Sequence, residues 1–112
     1  MYRVVVLYEQ EPDADSYAEH AEVCAAVPYG VFRHGKVTGA PMGEPAHAYF
    51  AEWEFPDEQS FQSAIRSEEF MATGKDAYKR GFPQPTVEFL DMTGPDVHEG
   101  VAAVREKRKP SF

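Results

Sequence analysis

Cys24 is the only cysteine in the chain, so no disulfide can form within it and its stability must come from packing. Positive charge is also scarce: 11 Lys and Arg against 19 Asp and Glu leave a formal net charge of −8. A surface of that sign repels phosphates, and no nucleic-acid partner is expected. No apolar run approaches the ~20 residues of a membrane span, so no membrane partner is expected either. The four histidines, His20, His34, His47 and His98, show neither HxH nor HExxH spacing, so no structural or catalytic metal is expected; nothing resembles a dinucleotide fingerprint, and no cofactor is expected. Gly74-Lys75 lacks the upstream glycine of a phosphate loop, and the serines form no nucleophile elbow. MYRVVVLY at the start enters a strand pattern at once, with no charged leader and cleavage site behind it. With the single thiol, this makes the cytoplasm the expected compartment.

What is present is hydrophobic and aromatic, 43% and 13% of 112 residues. One domain is the natural reading, burying roughly two-thirds of its unfolded surface. Its most aromatic stretch is Ala46 to Phe55, AHAYFAEWEF. Alternation in a strand puts His47, Tyr49, Ala51, Trp53 and Phe55 on one face and Ala48, Phe50, Glu52 and Glu54 on the other. Such an aromatic face must be covered by helices, a partner chain or a ligand.

Around that strand the order reads βαββαβ, with antiparallel pairing. Tyr2 to Tyr8 is a near-continuous β-branched run, the pattern of a strand covered on both faces. One helical layer covers only one face of a sheet, so the second cover is expected from another copy of the chain. Asp13 caps a helix to about Ala26, on which Ala14, Tyr17, His20, Ala21 and Cys24 share a stripe. Cys24 reads as a small buried residue rather than a nucleophile. A strand over Val31 to Val37 and a turn-rich connection over Thr38 to Pro45 follow. After Asp57 comes a helix carrying Phe61, Ala64 and Ile65; Ser67 caps a second piece containing Phe70, Met71, Gly74, Ala77 and Tyr78. Thr86 to Met92 is the last strand. Residues 94–112 form an extension, helical or partly disordered, with Val97, Val101 and Val104 on one side of a helix over Asp96 to Lys109 and a basic end.

The residues that carry chemistry are few. His20 sits on the inward stripe, and an imidazole accepts or donates a proton near neutral pH. Tyr17 lies one turn earlier and can orient a substrate. Together they form a candidate acid–base pair at a pocket between helix and sheet; the competing reading of His20 is a satisfied core histidine. Ligand-binding candidates are His47, Tyr49 and Trp53 on one face of the third strand, or Phe50 and Glu52 on the other. Glu52 and Glu54 need partners such as Arg3 or Arg33, and an ion pair between subunits is expected.

Several of these pieces in this order resemble the EthD family: the opening strand ending in Leu7, Tyr8 and Glu9, the helix pair Tyr17 and His20, the connection GAPMGEP at Gly39 to Pro45, and SEEFMATGKDA at Ser67 to Ala77. The resemblance covers roughly Met1 to Thr93. It implies an α+β, ferredoxin-like fold with a four-stranded antiparallel sheet, two copies pairing as a dimeric α/β barrel. Members accompany ethyl tert-butyl ether degradation, and the wider group includes isomerases, decarboxylases and cofactor-free monooxygenases. The implied function is binding of a small apolar or cyclic molecule, with acid–base chemistry or without it. The family's first helix commonly has Pro two positions after its His; here Ala21 and Glu22 follow His20, which straightens that helix end.

Overall fold

The computed structural model describes residues 1–94. Its elements run β1 (Tyr2–Tyr8), α1 (Ala14–Ala25), β2 (Val31–Lys36), β3 (Tyr49–Phe55), α2 (Glu58–Ile65), α3 (Glu68–Lys79) and β4 (Thr86–Asp91). The strands make one antiparallel sheet in the order β2-β3-β1-β4. Each crossover skips one strand, α1 passing over β3 and the α2–α3 pair over β1, which is the ferredoxin-like arrangement. The helix expected over Asp96 to Lys109 lies outside the described residues.

The core follows from strand alternation. Val4, Val6 and Tyr8 of β1 stand opposite Trp53, Ala51 and Tyr49 of β3. These residues face the helices, and the buried cluster adds Tyr17, Cys24, Phe55, Phe61 and Ala64. Each helix begins where a side chain can satisfy a free backbone N–H. Asp13 accepts from the N–H of Ser16 at 2.9 Å, Asp57 from that of Ser60 at 2.8 Å, and Ser67 from that of Phe70 at 3.1 Å. At the far end of α1, the indole N–H of Trp53 donates to the Cys24 carbonyl at 2.9 Å and ties the helix to the sheet. Gly30 is needed where β2 begins: a Cβ there would lie 2.5 Å from Cε1 of Phe55, a fully buried ring with no room to retreat.

Two expectations about the strands need correction. β3 begins at Tyr49, not Ala46, because Pro41, Gly43 at φ +67 and Pro45 hold the preceding chain in bends that cannot join a ladder. His47 therefore sits in the connection and is not part of the strand's aromatic face. β2 and β4 each stop one residue short of the expected end. On α3, Met71 and Tyr78 are exposed, because that helix packs mainly on α1 and α2 and meets the sheet through side chains such as Phe70 against Trp53.

Among the described residues the other sheet face carries no helix. There Glu52 accepts from Arg33 at 2.6 Å and lies 3.5 Å from Arg3, while Glu54 accepts from Arg3 at 3.0 Å and from Arg33 at 2.8 Å. The acids expected to pair across subunits are thus paired within the chain, since antiparallel register sets Arg3 beside Glu54 and Arg33 beside Glu52. No helix among the described residues is long and apolar enough to cross a membrane.

Candidate functional site

Because α3 stands off the sheet, a cavity of about 370 Å³ opens between them. Its size falls within the ~300–1,000 Å³ usual for small-molecule sites. Val6, Trp53 and Val87 form the floor, α1 supplies Tyr17, His20 and Cys24, and α3 supplies Phe70, Met71, Thr73 and Gly74. The lining is mainly apolar. Most of its hydroxyls are engaged or inert: Thr73 donates to the Phe70 carbonyl at 2.6 Å, and burial pushes the Tyr8 phenol up to about 12 and raises Tyr17 further. Neither tyrosine ionises near neutral pH.

His20 is the polar centre of this wall, almost fully buried. Its Nδ1 lies 2.7 Å from Oδ2 of Asp76 on α3, and its Nε2 lies 3.3 Å from the thiol of Cys24, one turn along α1. Partial burial would raise the Asp76 carboxyl, but hydrogen bonds from Arg80 and His20 outweigh it and hold the group below the ordinary carboxylate range. An ionised carboxylate only accepts. Nδ1 therefore carries a proton, and in the neutral imidazole Nε2 presents its lone pair to the thiol. Burial, then the Asp76 charge, pushes the Cys24 thiol up to about 12, so sulfur stays protonated and suits that donor role.

Arg80 completes the set from outside. Its Nε donates to the same Oδ2 of Asp76 at 2.7 Å, and its Nη1 donates to Ser16 at 3.1 Å and Glu19 at 2.9 Å. One guanidinium thus holds the carboxylate in place and joins the end of α3 to α1.

The candidate residues divide among three places. His20, Tyr17 and Trp53 line the cavity. Tyr49 stands behind Tyr17, ring centroids 5.0 Å apart, with its hydroxyl 2.6 Å from Nδ1 of His34; these residues border a separate surface pocket with Glu11 and Lys36. Phe50 and Glu52 lie on the helix-free face beside Arg33, away from the cavity, because Trp53 and its alternate neighbours turn toward the helices. His47 does not line the cavity. Among the described residues no three His, Cys, Asp or Glu side chains converge to hold a metal ion.

No protein-family model matches the chain, and no curated protein matches it. Solved structures do. An ethyl tert-butyl ether D (EthD) family protein from Bacillus halodurans C-125 is 30% identical, superposes with a TM-score of 0.67, and aligns 83% of this chain with 99% of its own. The chain belongs to the EthD family. Two more distant structures share the fold. A dimeric ferredoxin-like protein of unknown function from Jannaschia sp. CCS1 is 16% identical, with 81% of this chain on 98% of that one and a TM-score of 0.61. SnoaB, a cofactor-independent oxygenase from Streptomyces nogalater, is also 16% identical, with 84% on 93% and a TM-score of 0.53.

Two residues of this EthD-family site escape a reading of the sequence: Asp76 and Arg80. Their i, i+4 spacing marks an ordinary helical ion pair. Nothing local connects Asp76 with His20, 56 positions away; only the packing of α3 on α1 brings them together. In this EthD chain α1 continues past His20 to Ala25, and that extra turn places Cys24 against Nε2.

Proposed function

We propose that this EthD-family protein binds a small, largely apolar molecule between sheet and helices and moves a proton on it without a cofactor, His20 being the base. The observation that carries this reading is the Asp76–His20 pair, 2.7 Å apart, in the wall of an apolar cavity. Asp76 fixes the tautomer and stabilises the imidazolium that forms when Nε2 takes a proton. A bound C–H or O–H acid displaces the weak thiol contact from Nε2; its bond to hydrogen breaks, an N–H bond forms, and returning the proton to another atom of the guest completes an isomerisation. Tyr17, neutral throughout, orients the guest by hydrogen bonding. The branched ether in the family's name falls within the size and polarity of the cavity, and the cofactor-independent relative supports chemistry that needs only protein groups. A cytoplasmic setting suits the unpaired thiol.

A second reading is binding without turnover, favoured by the Cys24 contact that already satisfies Nε2. A cyclic 1,3-diketone in D2O separates the two. We expect the protein to perturb the Trp53 indole resonance and to accelerate loss of the diketone's acidic protons, and His20→Gln to remove about 100-fold or more of that acceleration. An indole shift with exchange unchanged in His20→Gln means binding alone. No shift with this or any similar guest sinks both readings.

We also propose a homodimer joined through the helix-free sheet face, as the resemblance implies. Val5, Leu7 and Phe50 give that face an apolar strip, and Arg3 and Arg33 pair with Glu52 and Glu54, which lowers the cost of covering those two carboxylates. Light scattering at micromolar concentration should give twice the chain mass of 12.6 kDa; a monomer refutes the pairing.

A further inference from the structure

We propose that the guest is longer than the buried part of the cavity: an acidic head held at His20 carries an apolar arm that leaves over Gly74, between Met71 and Val87. The lining residues divide by depth. Tyr17, His20, Cys24 and Trp53 are almost fully buried, whereas Met71 is 54% exposed, Val87 is 49% exposed, and Gly74 is exposed beside them. Among the described residues the cavity therefore opens between α3 and β4, with a large apolar side chain on each side of the opening. Scattered apolar residues on a surface need no explanation, but a pair that lines a cavity's mouth is a contact surface for what passes through it.

Gly74 makes the gap between them. It stands in the middle of α3, where glycine gives up more conformational freedom than any other residue and weakens a helix relative to alanine. The two structural reasons to keep it are missing. Its φ is not positive, and among the described residues a Cβ built there would meet no atom within 4 Å. What the glycine preserves is space on a face of α3 that lines the cavity. Thr73 does not fill that space, because its hydroxyl turns back to the Phe70 carbonyl at 2.6 Å. The inference rests on the proton-transfer reading only for which end of the guest lies deep. His20, with Asp76 behind it at 2.7 Å, is the polar centre of the buried wall, and the mouth offers Met71, Pro85 and Val87 instead.

Two probes test this on the full chain: cyclohexane-1,3-dione, which is the head alone, and its 5-phenyl derivative, whose acidic C2 and phenyl arm lie at opposite ends of the ring. The Trp53 indole resonance gives a dissociation constant for each. The parent should bind the phenyl derivative about tenfold or more tightly than the head. Gly74→Leu should remove that advantage and leave the affinity for the head nearly unchanged. Gly74→Ala should raise the urea midpoint, since alanine is the better helix former. Equal affinities in the parent overturn the proposal, and so does a Gly74→Leu protein that weakens both probes alike or neither. A Gly74→Ala midpoint below the parent's would show that the fold itself requires glycine, and also overturns it. In these cases the parent still binds the head, so this inference falls alone. An indole resonance unmoved by either probe overturns it together with the reading of His20.

Discussion

Trp53→Ala should lower folding stability by roughly 3–5 kcal/mol, the range for emptying a large aromatic site in a core. Trp53 is almost fully buried on the helix side of β3. Its ring lies 4.9 Å from that of Phe32 and 5.4 Å from that of Phe70, and its N–H satisfies the Cys24 carbonyl at the end of α1. Truncation enlarges the cavity and leaves that carbonyl without its side-chain donor, so packing and hydrogen bonding are lost together. Urea midpoints provide the measurement. Trp53→Phe should recover most of the loss while remaining about 1 kcal/mol short, the net value of one hydrogen bond. A Trp53→Ala protein within 1 kcal/mol of the parent would contradict this account of the core.

Asp76→Asn should lower any His20-dependent proton transfer by about 100-fold, within the range for general acid–base catalysis. The substitution keeps shape and removes charge. An amide N–H can donate to Nδ1, which moves the imidazole proton to Nε2 and removes the lone pair from the cavity side. Asp76→Ala, which cannot donate to Nδ1, should be less harmful to the rate per unit of folded protein; that split separates a tautomer effect from lost packing. Stability supplies a second readout. Asp76 has a folded-state pKa held below its ordinary value, so its contribution is complete above the ordinary carboxylate pKa of about 4 and is lost as pH falls through the lowered value. The stability gap between the parent and Asp76→Asn should narrow on acidification in that window. A gap independent of pH would show that Asp76 is not held by charge, and an unchanged rate would remove it from the proposed mechanism.

The ionic groups on the two sheet faces have different consequences. Arg3, Arg33, Glu52 and Glu54 pair beside one another on the sheet face turned away from α1, α2 and α3. The His20, Asp76 and Arg80 group bridges two helices at the edge of a cavity.

Much of the architecture is legible along the chain because its causes are local. The β-branched run Tyr2 to Tyr8, the caps Asp13, Asp57 and Ser67, and the spacing of Tyr17, His20 and Cys24 each act over a few residues. They place strands and helices close to where the structure has them. The start of β3 was less legible, since aromatic alternation runs back to His47 while the bends around Gly43 and Pro45 set the boundary. Glu52 and Glu54 were readable as acids needing partners, but whether Arg3 and Arg33 belonged to the same chain depended on strand register.

By itself, then, the sequence determined the βαββαβ order, the aromatic face of β3 and the inward stripe containing His20, because alternation and helical period are properties of neighbouring residues. The tertiary structure decided which face of β3 meets the helices, that Trp53 rather than His47 lines the cavity, and that Asp76 and Arg80 reach His20 from α3. Those outcomes depend on how α3 settles against α1 and away from the sheet, a balance of contacts between distant segments that no local pattern encodes.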